Sequence, residues 1–270
     1  MKQQLELNPL EVCRITVAKG HRVLGVALET DFGDRFFEQL DELAEKFGIA
    51  ITHIQVSRSP RDKTAKCFAF IEIENSKLSI KKIEELLKKQ KFVKALKIVK
   101  PLKHGIIGDI YYFPITILNQ RAIMLEKNIY TAIFKDIREL FGTAANAFLY
   151  YIGFETGKKL YLRLIELTNG PQLEALIEAL RIVNVTMGWG IIKNVYVDKI
   201  LKKAAVVVYE NFECDLGKGS ITPYSHFYRG ILAGFFTEYF GEEMIAEETK
   251  CIAKGDNYCK FKIRKACKSL

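Results

Sequence analysis

Near the C-terminus the chain reads ETKCIAKGDNYCKF over residues 248–261. Apolar and β-branched residues lie on both sides of a turn at residues 254–257, where Gly and Asp are typical turn residues. This pattern predicts a hairpin with strands over residues 244–252 and 258–263. The last predicted elements are therefore two paired strands that bring distant residues together.

Three possible metal ligands lie on the two arms of this hairpin, namely Glu248, Cys251 and Cys259. The turn folds the second arm back on the first, so these side chains can converge. Zn²⁺ binds thiolates and carboxylates in a nearly tetrahedral structural site, so a fourth group is required. The candidates are His226 or Ser225 at the start of the preceding helix, Cys214 at the end of a strand, and Cys267 in the Lys-rich tail.

The chain has 270 residues, of which 49% are hydrophobic and 27% charged. This composition can bury a sizeable core, and the length predicts about two domains. We place the first domain at residues 1–103 and the second at residues 104–270. No membrane span is expected, because the longest apolar run, residues 147–154, has 8 residues, against the ~18 that a span needs.

The N-terminal residues lack the apolar core of a signal peptide, so we expect a cytoplasmic protein with reduced thiols. In that compartment the cysteines near the C-terminus are better explained as metal ligands than as disulfides. Lys and Arg number 41 against 32 for Asp and Glu, but they are interleaved with Glu. This distribution makes nucleic acid an unlikely partner.

The first domain alternates between strand-like and helix-like periodicity. We expect strands over residues 11–18, 22–29, 49–56, 66–73 and 93–99, and helices over residues 36–47 and 79–91, with a loop at residues 59–63. From the second strand onward this order is βαββαβ, a ferredoxin-like pattern. With the turn at residues 29–34, the domain resembles the ACT domain, a regulatory module that often binds amino acids. A packing or dimerisation module without a ligand is the alternative.

The second domain starts with a linker and edge segment at residues 104–120. Helices are then expected over residues 121–141, 143–167, 171–185 and 222–240, and strands over residues 191–197 and 204–212 before the terminal hairpin. Two of the helices carry glycines four residues apart, which predicts close helix packing. The expected fold class is α+β, with the ferredoxin-like domain followed by a larger mixed α/β domain that has long helices.

The terminal hairpin closely resembles the C-terminal signature of the 4-vinyl reductase domain family, of the hydrocarbon-binding type. The resemblance covers about residues 105–265. Its further segments are PYSHFYRG at residues 223–230 followed by Ala233-Gly234, Gly188-Trp189-Gly190, and Tyr150-Tyr151 with Gly153 and Gly157. It implies that the second domain takes this family's fold.

The resembling sensory domains of phenol-responsive transcription activators hold a structural zinc with three Cys and one Glu, beside a buried pocket for an aromatic effector. By position, the resemblance implies that Glu248, Cys251 and Cys259 are three of these ligands. The family's remaining cysteine falls at Ser225, and a serine hydroxyl keeps its proton at neutral pH. We therefore predict His226 as the fourth ligand, with Cys214 or a solvent or substrate group as alternatives. Two buried thiols that pack without a metal are the other explanation.

Aromatic side chains are frequent on the predicted helices of the second domain, and such helices can enclose an apolar pocket. The candidate ligand contacts are Trp189, Tyr151, Tyr228 and Phe235. Trp189 is the strongest of them because it lies in a glycine-flanked turn and its indole N–H needs a partner. Ordinary core packing is the alternative for each ring.

No catalytic motif is found: the four His are scattered, and Ser-nucleophile, phosphate-binding and dinucleotide motifs are missing. We therefore expect zinc but no nucleotide cofactor, and a protein that is more readily a sensor than an enzyme. The leading hypothesis is a regulatory homodimer that binds a small hydrophobic or aromatic ligand and signals to a protein partner. The alternatives are a reductase subunit or accessory factor in tetrapyrrole or aromatic metabolism, and a dimeric scaffold resembling transport-particle subunits.

Overall fold

The computed structural model describes residues 7–20, 22–31, 33, 35–58 and 64–266 of the chain. The predicted loop at 59–63, Phe32 and Asp34 of the predicted turn, and Cys267 lie outside these residues. The chain divides into two compact units, residues 1–123 and 124–270. Within the described residues, no helix is both long and apolar enough to cross a membrane.

The first unit is built around one four-stranded sheet. Its elements are β1 (Ile15–Val17), β2 (Val23–Asp31), α1 (Phe36–Phe47), β3 (Ala50–Ser57), β4 (Thr64–Glu72), α2 (Ile80–Lys88), β5 (Val93–Val99), β6 (Ile106–Gly108), β7 (Thr116–Ile117) and β8 (Gln120–Arg121). The strand order is β3-β4-β2-β5, and neighbouring strands are antiparallel. The expected succession of strands and helices is present, while the ferredoxin-like and ACT-like assignments stay predictions.

The helices of this unit begin and end at residues suited to those positions. Gly48 follows α1 with φ 64°, and its N–H donates to the carbonyl of Ala44, so the left-handed conformation closes the last turn. The Ser79 hydroxyl accepts a hydrogen bond from the Lys82 N–H at 3.2 Å and caps α2. Local sequence therefore fixes where each helix stops or starts.

The predicted first strand, residues 11–18, is shorter than expected and lies outside the main sheet. β1 pairs with β6, and Arg14 forms an ion pair with Asp109 at 2.5 Å. The Tyr112 hydroxyl donates to the carbonyl of Leu28 at 2.8 Å. These contacts hold residues assigned above to the second domain against the first sheet. The boundary between compact units therefore falls after residue 123 instead of after residue 103.

The second unit combines helices with a second four-stranded sheet. Its elements are α3 (Lys127–Thr131), a π-helical turn (Ala132–Asp136), α4 (Ile137–Phe141), α5 (Thr143–Thr168), α6 (Leu173–Thr186), β9 (Ile191–Asp198), β10 (Lys203–Tyr209), α7 (Phe212–Leu216), α8 (His226–Phe240), β11 (Met244–Lys250), a 3-10 turn (Ile252–Lys254) and β12 (Cys259–Lys265). The strand order is β11-β12-β10-β9, with antiparallel neighbours. The predicted hairpin is present as β11 and β12.

Three predicted boundaries in this unit differ from the structure. The helix expected from residue 121 begins at Lys127, because Arg121 belongs to the β7–β8 hairpin. The helix expected from residue 222 begins at His226. The strand expected over residues 204–212 ends at Tyr209, and α7 follows it. The Asn211 side chain accepts hydrogen bonds from the N–H groups of Glu213 and Cys214, both at 3.1 Å, which starts this helix.

Helices α5 and α8 cross with their backbones in contact. A Cβ atom added at Gly157 would lie 2.0 Å from the carbonyl oxygen of Ile231, and one added at Gly234 would lie 1.9 Å from that of Phe154. Gly153 and Gly230 are equally constrained, at 2.0 Å and 2.2 Å from backbone oxygens. The close packing predicted from the glycine spacing is therefore confirmed, and it sets the α5–α8 distance in the core.

Candidate metal centre

Four buried side chains from separate elements meet at one end of the second sheet. Cys214 comes from α7, Glu248 from β11, Cys251 from the residue after β11, and Cys259 from the start of β12. Their ligand atoms all lie within 4.8 Å of one another. Three thiols and one carboxylate thus form a donor set that suits Zn²⁺.

The thiol of Cys214 lies between the other three groups. Its sulfur is 3.3 Å from Oε1 of Glu248, 3.5 Å from Sγ of Cys251 and 3.4 Å from Sγ of Cys259. In a tetrahedral site with Zn–S bonds of about 2.3 Å, neighbouring sulfurs are separated by about 3.8 Å. The spacing of the four atoms is therefore close to that of zinc ligands.

The hairpin turn directs its two cysteines toward each other. The Cys251 N–H donates to the Asp256 carboxylate at 2.9 Å, and the Asp256 N–H donates back to the Cys251 carbonyl at 3.2 Å. Gly255 has φ 96°, a conformation that glycine adopts without strain. The Ile252 N–H donates to Sγ of Cys259 at 3.5 Å. The turn therefore supplies both the reversal of the chain and a backbone donor to a sulfur.

Ser225 contributes its backbone instead of its hydroxyl. Its N–H donates to Oε2 of Glu248 at 3.0 Å, which leaves Oε1 directed at the thiols. The Ser225 hydroxyl is 3.4 Å from a carboxylate oxygen of Glu213. This arrangement orients the Glu248 carboxylate without using the serine as a ligand.

Cys214, and not His226, joins the three predicted ligands. The His226 N–H donates to the Glu213 carboxylate at 2.9 Å, and its Nδ1 is 3.2 Å from Nη2 of Arg229. Because α8 begins at His226, the imidazole lies one turn from Arg229 on the same helix and outside the four-residue cluster. The sequence pattern ranks Cys214 only as an alternative because it predicts a strand end there, whereas the residue lies on α7.

The four acidic groups influence one another's protonation. Burial raises the pKa of Glu248 to about 7, with the nearby Cys251 adding to the shift. Hydrogen bonds donated by the Cys214 and Cys259 thiols lower the pKa of Cys251. One negative charge is thus readily held among the sulfurs, and further charges repel it. A divalent cation at the centre would stabilise the fully deprotonated set.

Glu213 is a site residue that the sequence analysis missed. It is fully buried, and it accepts hydrogen bonds from the N–H groups of His226, Phe227 and Tyr228 at 2.9–3.0 Å. The guanidinium of Arg138 also donates to it. Burial raises the pKa of Glu213, while Arg138 and the three N–H groups lower it. The carboxylate therefore anchors the start of α8 beside the cluster, and the acidic residues just after Asn211 were the signal available for it.

The predicted ligand contacts do not all come together. Tyr228 and Phe235 are fully buried in the core of the second unit, and Trp189 packs against that core while partly exposed. The Tyr228 hydroxyl donates to Oδ1 of Asn184 at 2.5 Å. Tyr151 on α5 is 67% exposed and lies outside this group.

The family model of the 4-vinyl reductase domain matches residues 204–265. A curated relative, the uncharacterised protein MJ0150 of Methanocaldococcus jannaschii, is 27% identical over 124 residues, which is 46% of this chain and 66% of the relative. The chain thus spans just under two thirds of that protein's length.

Solved structures with low identity also align. The phenol-responsive sensory domain of the transcription activator PoxR, bound to phenol, has 15% identity and a TM-score of 0.49, covering 70% of this chain and 92% of that chain. A vinyl-4-reductase family protein from Methanocaldococcus jannaschii has 22% identity and a TM-score of 0.34, covering 55% and 100%. The family-model match includes all four residues of the candidate metal centre, and it confirms the predicted 4-vinyl reductase resemblance over residues 204–265.

Proposed function

We propose that the second unit is a small-molecule-sensing domain of the 4-vinyl reductase type, stabilised by a structural zinc ion. Cys214, Glu248, Cys251 and Cys259 would hold the ion. The observation that carries this proposal is the convergence of these four buried ligand atoms within 4.8 Å. Four protein ligands leave no open coordination position, which is the arrangement of structural and not catalytic zinc. Zinc bound here would join α7 to the terminal hairpin.

Metal content tests the ligand set. Native mass spectrometry with elemental analysis is expected to find one zinc per chain in the wild type. Cys214→Ser is expected to lose the metal and to lower the thermal midpoint, because three ligands bind zinc far more weakly than four. His226→Ala is expected to keep the metal, since its ring lies outside the cluster.

Cys13→Ser is the matched control, because this cysteine lies in the first unit and is removed from the cluster. Full zinc occupancy in Cys214→Ser, or zinc loss in His226→Ala, would reverse the assignment of the fourth ligand. Wild-type protein that takes up no zinc would refute the metal site itself.

The expected ligand is a small hydrophobic or aromatic molecule. The family-model match supports this expectation, as does the aromatic character of the core around Tyr228 and Phe235. The π-helical turn at residues 132–136 is a further support. Its Phe134 is buried and makes edge contacts with Phe212 and Phe227, each at 5.1 Å between ring centroids. Such π-helical turns frequently mark functional sites.

Trp189 provides the readout for ligand binding, because it is the one tryptophan of the chain. Titration with phenol and with toluene is expected to change its fluorescence in a saturable way. At a ligand concentration of about 100 times Kd, binding adds about 2.7 kcal/mol of stability, which raises the melting temperature by about 5–10 °C. Glycerol at equal concentration is the control. A linear, unsaturable response to both aromatic compounds would argue against a site for them.

Dimer formation is part of the proposal, as in a regulatory protein or a scaffold. Helices α4 and α5 carry exposed apolar side chains, including Leu140 (78% exposed), Phe141 (63%) and Phe148 (58%). Exposed apolar patches of this kind mark association surfaces, and a second copy of the chain is the partner we propose. The native mass spectrum that measures zinc also reports the number of subunits. The first unit is proposed as a ferredoxin-like, ACT-like regulatory module, on the support of its strand order, and the protein as cytoplasmic.

A further inference from the structure

The second sheet has one face against the helices and one face outward. On β10, Ala204, Val206 and Val208 are buried, so Ala205 and Val207 lie on the opposite face. On β12, Cys259, Phe261 and Ile263 are buried in the same way. The alternation of a strand therefore sends the remaining side chains of β12, which are Lys260, Lys262 and Arg264, to the outward face.

These three cations form a line that we call the basic strip. Alternate residues of an antiparallel strand are about 6.8 Å apart, so an extended polyanion laid along β12 would meet a positive charge at every step. None of the three enters an ion pair with another described residue, whereas Lys265 on the same strand pairs with Glu242. The strip therefore keeps its charge for a partner.

The neighbouring strand positions leave the balance positive. Lys250 is in register with Lys260, and Glu247 is in register with Lys262. With the three residues of the strip, four cations and one carboxylate give a net charge of +3 on this part of the face. Complementarity of charge therefore favours an anionic partner.

Aromatic rings flank the basic strip. Tyr196 on β9 is 65% exposed and is in register with Ala205, which is in turn in register with Lys262. Because Ala205 has only a methyl group, a shallow trough separates the Tyr196 ring from the Lys262 ammonium. At the other end of the strip, the rings of Tyr209 and Tyr258 lie 5.6 Å apart, and Nζ of Lys250 is 4.9 Å from the Tyr258 ring centroid.

We propose that this outward sheet face binds single-stranded nucleic acid, with phosphates along the basic strip and a base on the Tyr196 ring. Cations that follow a backbone, combined with exposed rings on which bases stack, are the elements of such sites. A duplex keeps its bases stacked inside and offers no free base to the ring. The interleaved Lys and Glu of the sequence concealed this surface, because only strand alternation sorts the charges onto one face.

Binding of fluorescein-labelled 15-nucleotide dT and U oligomers to the full-length protein, followed by anisotropy, tests the proposal. The wild type is expected to bind both single strands more tightly than a duplex of equal length. The double variant Lys262→Gln, Arg264→Gln is expected to bind at least tenfold more weakly. It should also reduce the slope of log K against log salt by about 1.4, since each phosphate contact of a single strand contributes about 0.7.

Tyr196→Ala distinguishes stacking from general attraction of anions. It is expected to weaken oligonucleotide binding by about 5- to 150-fold, the range for loss of one stacked base, while Tyr196→Phe retains binding. Lys81→Gln with Lys91→Gln, two exposed lysines of the first unit, is the charge-matched control and should bind like the wild type.

Labelled heparin and vesicles rich in anionic phospholipid form the comparison arms. Heparin or vesicle binding that equals the oligonucleotide binding and is unaffected by Tyr196→Ala would overturn the proposal in favour of a general polyanion or membrane surface. Equal affinity for duplex and single strand would also overturn it, as would failure of the wild type to bind oligonucleotide at about 50 mM salt. Melting curves of each variant confirm that weaker binding is not caused by unfolding.

Discussion

Gly234→Ala is expected to destabilise the second unit by about 3 kcal/mol or more, at or beyond the upper end for overpacked cores. In an ordinary helix interior the same substitution stabilises by about 1 kcal/mol, because alanine has the higher helix propensity. Here the new methyl group would lie 1.9 Å from the carbonyl oxygen of Phe154. That oxygen belongs to the backbone of α5, so no side-chain rotation relieves the contact and the two helices must separate.

Urea unfolding measures this effect. Gly33→Ala is the control, because a Cβ atom at Gly33 meets nothing within 4 Å, and its stability should stay within about 0.5 kcal/mol of the wild type. Gly157→Ala, on the facing helix, should behave like Gly234→Ala because its Cβ would lie 2.0 Å from the Ile231 oxygen. A Gly234→Ala protein as stable as the wild type would show that α5 and α8 do not cross this closely.

The glycine pairs and the hairpin show what sequence periodicity predicts well. Glycines four residues apart mark one face of a helix, and each pair does face a neighbouring backbone. In the hairpin, the alternation of apolar residues around the turn is a local pattern, so Glu248, Cys251 and Cys259 could be assigned to one site before any coordinates. Both predictions depend on residues that are close in the chain.

The rest of the site depends on contacts between distant residues, which periodicity does not encode. The apolar run of β10 continues to Phe212 in the sequence, and nothing in its pattern marks the break after Tyr209. The pattern therefore puts Cys214 at a strand end, although the Asn211 cap begins a helix there. Similarly, the pairing of β1 with β6 joins segments about 90 residues apart, and this pairing places the unit boundary later than the sequence predicts.

The buried carboxylate of Glu213 leads to the second large effect. Glu213→Gln is expected to destabilise the second unit by about 3–5 kcal/mol, the range for removing one partner of a buried ion pair. The Arg138 side chain is only 9% exposed, so its charge would stay buried without its carboxylate. The three N–H groups at the start of α8 would also lose a charged acceptor, which is the stronger kind of hydrogen bond.

A double-mutant cycle in urea separates these contributions. Glu139→Gln, an exposed residue of the same helix as Arg138, is the control and should change stability by less than about 0.5 kcal/mol. Arg138→Met combined with Glu213→Gln should be less destabilised than the sum of the single variants, because neither charge is then left unpaired. Additive single effects would show that the two side chains do not interact.

Zinc content connects this prediction to the metal centre. Glu213 holds the backbone that begins α8, and the Ser225 N–H at that point orients the Glu248 carboxylate. Glu213→Gln should therefore weaken zinc retention against a chelator, although the residue is not a ligand. If zinc retention were unchanged while stability fell, the Glu213–Arg138 pair would support α8 alone, and the orientation of Glu248 would not depend on it.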